Sequence, residues 1–357
     1  MTTKTYSLSE LGWRPALQQQ ISIDDLRTGF AARVSAVFRD RIHVITEQGE
    51  LSLPVTGILA KDDSEMRATT GDWLWLENET KQPLQLLERI NVLSRTAAGS
   101  DSYTQLIAAN IDTIFIVSSC NLDFNLSRLE RYLSLVMAAH IPAVIVLTKA
   151  DLASEVDIDN YIEQAQKLHR DVPVITVNAL DEKLQDYFVS WLGKGQTIAF
   201  IGSSGVGKST LTNVLLGQTI QNTSGIREQD AKGRHTTTDR SIHRLPDGGW
   251  VMDTPGMREL RLNDDSQGIA ELFSDIEALS NQCRFNNCHH TGDKGCAIDS
   301  AIESGELDIR RWQSYQKLHK EAEQASLSKQ DRKKAREQWG KDIARFSRRN
   351  KKIKTNF

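Results

Sequence analysis

Two hydrophobic rhythms divide this chain. Between Phe30 and Glu77 apolar positions alternate in short stretches: Ala32–Phe38 (ARVSAVF), Arg41–Thr46 (RIHVIT), Glu50–Val55 (ELSLPV) and Trp73–Glu77 (WLWLE). Period-two alternation marks half-buried strands, and Gln48-Gly49 and Gly71-Asp72 supply turn signals. Several short strands in so brief a stretch predict a small barrel of the OB type. Such a barrel either binds single-stranded nucleic acid or serves as a spacer, and the pattern alone leaves both open.

From Asp112 the rhythm changes to alternating apolar runs and helical faces. Asp112–Ser118 (DTIFIVS), Ala143–Leu147 (AVIVL), Val172–Val177 (VPVITV) and Thr197–Ile201 (TIAFI) read as buried strands, and Arg240–Leu245 and Gly249–Asp253 as two more. Helices are expected over Ser127–Ala139, with Leu129, Tyr132, Leu133 and Val136 on one face, over Tyr161–Arg170 and over Thr210–Leu216. Strand-helix alternation predicts a mostly parallel sheet with helices on both faces. After Asp264 the pattern is helical and cysteine-bearing, and Ser328–Lys354 is a helical or disordered basic tail. Met1–Gly29 is polar and weakly patterned, although Glu10–Pro15 (ELGWRP) has the look of a short docking segment. Asn91–Tyr103 (NVLSRTAAGSDSY) reads as a linker.

Composition adds three things. A chain of 357 residues exceeds one ordinary core, so two or three domains are expected. The N-terminus MTTKTYSLSE lacks an apolar signal region, and the longest apolar region, Leu133–Leu147, is broken by His140 and Pro142. The expectation is a cytoplasmic protein with no membrane contact. Charge is asymmetric: Arg310–Phe357 holds 16 Lys+Arg against 5 Asp+Glu, while the rest of the chain holds 28 against 42. A basic tail on an acidic body points to a polyanionic partner or to a solvated charged helix.

The chemistry centres on Gly202-Ser203-Ser204-Gly205-Val206-Gly207-Lys208-Ser209, set between a strand and a helix that takes in Thr210. Its glycines let backbone N–H groups converge on phosphate oxygens, and the helix N-terminus adds partial positive charge. Lys208 can reach the β and γ phosphates, and the Ser209 hydroxyl can ligate Mg²⁺. Asp253-Thr254-Pro255-Gly256 follows a strand: Asp253 can hold Mg²⁺ through water and the Gly256 N–H can touch the γ-phosphate. Between them, Gly233-Arg234-His235-Thr236-Thr237-Thr238 offers a threonine, taken as Thr237, to complete the Mg²⁺ shell.

Base choice is written upstream. Thr148-Lys149-Ala150-Asp151 ends the AVIVL strand, and a carboxylate there accepts from the paired N1–H and N2–H₂ donors that guanine has and adenine lacks. Lys149 can pack along the base, and an N–H at Asn178-Ala179 can meet the guanine O6. The order is unusual, because the base-reading elements precede the phosphate loop. That is a circularly permuted GTPase, in which the nucleotide-sensing loop runs straight into the C-terminal segment. Met257 stands where Ras-type enzymes carry a water-orienting glutamine, so unaided hydrolysis should be slow. His235 is either its substitute or an exposed loop histidine. Finally, Cys283-x4-Cys288-x-His290-x5-Cys296 supplies three thiolates and an imidazole, the donor set of a closed, structural Zn²⁺ site. Cys120 reads as a packed residue.

GSSGVGKST, GRHTTT, DTPG, the permuted order and the cysteine cluster together resemble the RsgA (YjeQ/EngC) family of small-ribosomal-subunit biogenesis GTPases, over about Phe30 to Lys320. The resemblance implies GTP hydrolysis stimulated by the small ribosomal subunit late in its assembly, with GTP and GDP as ligands and rRNA met by the barrel and zinc domains. The expected protein is a multi-domain α/β monomer: N-terminal extension 1–29, OB-type barrel 30–95, circularly permuted GTPase 104–262, helical zinc-binding domain 263–325 and basic tail 326–357. Thr148 and Asn178 depart from the family, where Asn and Ser are commoner. A GTP-dependent rRNA binder with incidental hydrolysis is the competing reading, and an ATP-dependent kinase is disfavoured by TKAD.

Overall fold

A computed structural model describes residues 5–60, 67–96, 104–181, 183–217, 240–253, 266–290 and 293–326. Two short helices, α1 (Pro15–Gln18) and α2 (Asp25–Thr28), precede five antiparallel strands: β1 (Gly29–Val37), β2 (Arg41–Thr46), β3 (Gly49–Pro54), β4 (Trp73–Glu77) and β5 (Pro83–Leu86). Their order is β3-β2-β1-β4-β5, curled around Ala32, Val34, Ile42, Val44, Leu53, Leu74 and Leu76. No pairing joins β3 to β5 among the described residues.

β6 (Val92–Thr96) and β7 (Thr104–Ala109) form a separate antiparallel ladder. The stretch expected as a linker therefore contributes a strand. Its polar Ser94 and Arg95 hid a pairing that only the partner strand supplies, and the ladder crosses the expected boundary between 95 and 104. The α/β part follows: β8 (Thr113–Ser119), α3 (Leu126–Ala138), β9 (Ala143–Thr148), α4 (Glu155–Gln166), β10 (Val174–Thr176), a 3₁₀ segment Leu184–Trp191, β11 (Thr197–Gly202), α5 (Lys208–Leu216), β12 (Arg240–Arg244) and β13 (Trp250–Asp253). Strands β10-β9-β8-β11-β13 are parallel neighbours, and β12 is antiparallel to β13. Helix α4 starts six residues before the expected helix at Tyr161, because Ser154 caps it by accepting from the Asp157 N–H. Helices α6 (Ser266–Leu272), α7 (Ser274–Ser280), α8 (Ala297–Ser304) and α9 (Ile309–Ser326) complete the described chain. The expected basic tail beyond Ser326 lies outside the described residues.

The two sheets are one. β1 pairs with β4 through Gly29–Arg33 and with β12 through Ala36↔Ser241 and Val37↔Arg240, so the curled sheet continues into the parallel one. The N-terminal segment seals this junction. Tyr6, Leu11, Leu17 and Ile21 are buried, and the Trp250 indole N–H donates to the Glu10 carbonyl at 2.7 Å. Ion pairs Arg14–Asp112 (3.0 Å) and Arg244–Glu10 (3.2 Å) flank it. These anchors sit at irregular spacing, so no period announces them, although ELGWRP does dock. Beneath lies Arg33, 1 % exposed, donating to the carbonyls of Leu11 and Asn110 and to Thr197 Oγ1. Burial lowers its pKa to about 10, which still leaves it charged at neutral pH.

Candidate nucleotide and metal sites

The nucleotide residues expected from sequence lie, where described, at the carboxyl ends of parallel strands. β11 runs into the phosphate loop, β9 ends in Thr148, Asn178 lies just past β10, and Asp253 ends β13. That edge is where doubly wound sheets hold ligands. His235, Thr236–Thr238, Thr254–Gly256 and Met257 lie outside the described residues, so Thr237, His235 and Gly256 have no place in this geometry.

The loop is held from below and open above. Val206 is buried in the core, whereas Ser204 and Gly205 are exposed and Ser203, Gly207, Lys208, Ser209 and Thr210 are half-buried. At Gly202 a Cβ would sit 2.2 Å from the Val117 carbonyl oxygen, so only glycine lets the turn leave β11 this close to β8. Gly207, at φ +98°, begins α5. The Lys208 ammonium donates to the carbonyls of Gly202 and Ser203, which folds its charge over the loop.

On the base side Thr148 is fully buried, and its hydroxyl donates to the Val206 carbonyl of the phosphate loop at 2.6 Å, with the Ser118 carbonyl 3.2 Å away. The threonine therefore ties the base-side strand to the phosphate loop. Lys149 takes a left-handed backbone (φ 59°, ψ 30°), which costs on the order of 1–3 kcal/mol for a non-glycine residue and turns the chain into Ala150–Leu152. Thr148, Lys149, Asp151, Asn178 and Ala179 line one cavity of about 250 Å³, and Gly207 and Thr210 of the phosphate-loop side line the same cavity. Base-reading and phosphate-holding elements thus share one space. Leu152 and Leu180 complete the wall, 75 % and 78 % exposed. Sequence reading missed both; their signal was an apolar residue directly after each base-side element. The Asn178 carboxamide accepts from the Leu180 N–H at 2.9 Å and shapes that turn.

The cysteine cluster forms between α7 and α8. Ligand atoms of Cys283, Cys288, His290 and Cys296 all lie within 4.8 Å of one another. A tetrahedral ion with metal–sulfur bonds of ~2.3 Å sets its ligands about 3.8 Å apart, so the group fits a metal ion. His290 adopts φ 56°, and its Nδ1 lies 3.4 Å from the Cys296 sulfur and 3.6 Å from that of Cys283. Its Nε2 meets the Ser280 hydroxyl at 3.2 Å, an outer contact that fixes the ring. The Cys296 sulfur accepts from the Asp299 N–H and caps α8. His289 stays outside; its N–H donates to Asp293. Cys120 is buried, and burial pushes its thiol up to about 11, as for an unreactive packed residue.

Comparison with known proteins adds to this geometry. The RsgA GTPase family model matches residues 86–263. An ABC transporter model matches residues 190–347, which takes in the phosphate loop but not the base-side cavity residues of β9 and β10. A Vibrio parahaemolyticus protein named small ribosomal subunit biogenesis GTPase RsgA 2 is 51 % identical over 331 residues, 90 % of each chain. A Vibrio vulnificus protein of the same name is 47 % identical over 357 residues, 100 % of this chain and 99 % of its own. Among solved structures, YjeQ from Thermotoga maritima aligns with a TM-score of 0.60 at 22 % identity, covering 82 % of this chain and 98 % of that one. YloQ, described as a circularly permuted GTPase, aligns with a TM-score of 0.58 at 23 % identity, covering 83 % and 96 %. The shared fold is that of the circularly permuted GTPases. Among the described residues no helix is long and apolar enough to cross a membrane.

Proposed function

The chain belongs to the RsgA family of GTPases, hydrolases acting on GTP, and we propose that the small ribosomal subunit stimulates its turnover late in that subunit's assembly. The observation that carries this reading is the Thr148 bridge: one buried hydroxyl ties the base-side strand to the phosphate loop above a common cavity. Asp151 accepts from guanine, Lys149 lies along its plane, and Asn178-Ala179 meet its O6. Backbone N–H groups of Ser203 to Gly207 and the start of α5, through Thr210, cradle the phosphates, and Lys208 unfolds from the Gly202 and Ser203 carbonyls to neutralise them. Ser209 and Thr237, with Asp253 behind a water, would hold Mg²⁺, which would supply charge neutralisation to the phosphates. Gly256 reads the γ-phosphate, and His235 or a ribosomal group orients the attacking water.

In this reading the Cys283, Cys288, His290 and Cys296 ion is a structural zinc, and the curled sheet is an OB-type barrel. Both the barrel and the zinc segment meet rRNA, and hydrolysis releases the protein from the subunit. The basic tail adds electrostatic affinity, which falls as salt rises. The protein acts as a cytoplasmic monomer. Met257 favours one rival, a GTP-dependent rRNA binder with incidental hydrolysis. GTP and ATP turnover with purified small and large subunits tests both. The proposal expects GTP turnover to rise by orders of magnitude with small subunits alone, and equal rates with and without them support the rival.

A further inference from the structure

We propose that Arg128 is a positioning residue for GTP hydrolysis, acting from α3 through the Ser203 side chain of the phosphate loop. The inference rests on Gly202–Ser209 being the phosphate site. Asn125 caps α3 by accepting from the Arg128 N–H at 3.0 Å, which fixes where this side chain leaves the helix. Arg128 Nη1 donates to Ser203 Oγ and, at 2.8 Å, to Asp123 Oδ1. A serine hydroxyl has one donor and two acceptor sites. Accepting from Arg128 holds the Ser203 hydroxyl to one side and so restricts the direction of the Ser203 Cα–Cβ bond.

Fold stability does not require this arrangement. The Arg128–Asp123 pair is more than a third exposed on both sides, and such pairs are worth roughly 0–1 kcal/mol. What the contact does control is Lys208. The Lys208 ammonium rests on the Ser203 and Gly202 carbonyls, so the orientation of residue 203 sets where that charge starts. The opposite side of α3 is clamped. Buried Glu130 pairs with Arg310 at 3.0 Å and Arg311 at 3.5 Å, and Arg131 pairs with Glu321 at 2.7 Å. Helix α3 is thus held by α9 and in turn holds the loop. Catalysis that relies on charge placement loses rate when a supporting group lets that charge drift, even when ground-state binding survives.

The test uses the full-length chain and a double-mutant cycle on kcat and KM for GTP with small subunits present, comparing Arg128→Ala, Ser203→Ala, the double variant and Arg128→Lys. Arg128→Ala should lower kcat about tenfold with KM changed less than about threefold, the scale of losing one charge-assisted hydrogen bond to the loop. Arg128→Lys should recover part of the loss. In the Ser203→Ala background Arg128→Ala should add nothing, which a merely structural arginine would not reproduce. Additive losses, or a kcat for Arg128→Ala within about twofold of the parent, overturn the proposal. Lys208→Ala separates the two levels. If it abolishes turnover while the cycle is additive, positioning through Ser203 fails alone; if it leaves turnover intact, the phosphate-site reading has failed first.

Discussion

Replacing Thr148 by valine removes one oxygen and almost no volume. Thr148 is fully buried, and its hydroxyl donates to Val206 O at 2.6 Å. A buried carbonyl stripped of its donor costs about 1–3 kcal/mol. Where that cost appears depends on the loop. Without nucleotide, the exposed Ser204–Gly205 tip lets the loop open and give the Val206 carbonyl to water, so melting should shift little. With nucleotide bound, the N–H groups of the loop must converge, Val206 must return to its place, and the cost falls on binding. GTP and GDP affinity should therefore drop by roughly 5- to 150-fold, the equivalent of that energy. Thr148→Asn should retain most affinity, because an amide N–H can reach the same carbonyl. Titration of a fluorescent guanine nucleotide, with thermal melts alongside, reads both effects. If Thr148→Val binds within twofold of the parent, the hydroxyl bridge does not organise the loop. If binding and melting fall together, the cost lies in the fold rather than the site.

Four further outcomes follow. Asp151→Asn should exchange guanine for xanthine preference, because the carboxamide presents a donor to the C2 carbonyl; nucleotide competition reads this, and unchanged GTP affinity would exclude Asp151 as base reader. Cys283→Ser or Cys296→Ser should abolish stoichiometric zinc by elemental analysis and unfold the segment from α7 to α9, since structural zinc contributes ~10–16 kcal/mol, while GTP binding persists. Glu130→Gln should destabilise the chain by about 1–3 kcal/mol in denaturant titration, because it removes the buried carboxylate from Arg310 and Arg311, which keep Asp308 and Asp275 as partners. Burial lowers the His243 pKa below its ordinary value, so its contribution to stability is present above pH ~6.5 and is lost as pH falls through the folded value. His243→Gln should flatten the acid limb of a melting-temperature profile, and an unchanged limb would remove His243 from it.

What the sequence disclosed and what it hid have a physical dividing line. β2 and β4 fall where the alternation placed them, and β8, β9, β11 and α3 lie within a residue or two of their runs, because each is defined by its own burial pattern. The cysteine cluster was legible because ligand spacing in a short loop nearly fixes its geometry. The hidden features depend on partners far away in sequence. β6 needs β7. Leu11 and Glu10 matter only because Arg33 and Trp250 lie against them. Arg128 looked like one polar residue on an amphipathic helix, and only the fold brings it 75 positions along the chain to Ser203. Leu152 and Leu180 are exposed, and no periodicity marks a residue whose role is to wall a cavity.

Permutation changes which strands bear load. In the observed order β12 and β13 come last, yet they lie between the nucleotide strand β11 and the curled sheet, with β12 hydrogen-bonded to β1. β13 ends at Asp253 and is flanked by β11 on one side and β12 on the other. Its other end is fixed as well, by the Trp250 indole on Glu10 and by Tyr6 edge-on at 5.9 Å. Buried Arg33 adds direction. The acceptors of its two Nη groups are neutral oxygens from the N-terminal segment, from Asn110 and from Thr197 at the start of β11. A cation removed from water is costly wherever its acceptors drift, so the junction resists sliding more than an apolar one of equal area. Hinging between the curled sheet and the nucleotide sheet is therefore the expensive motion. The cheaper motion is that of the exposed Ser204–Gly205 tip, because the α6–α9 segment is tied to α3 by the Glu130 and Arg131 ion pairs.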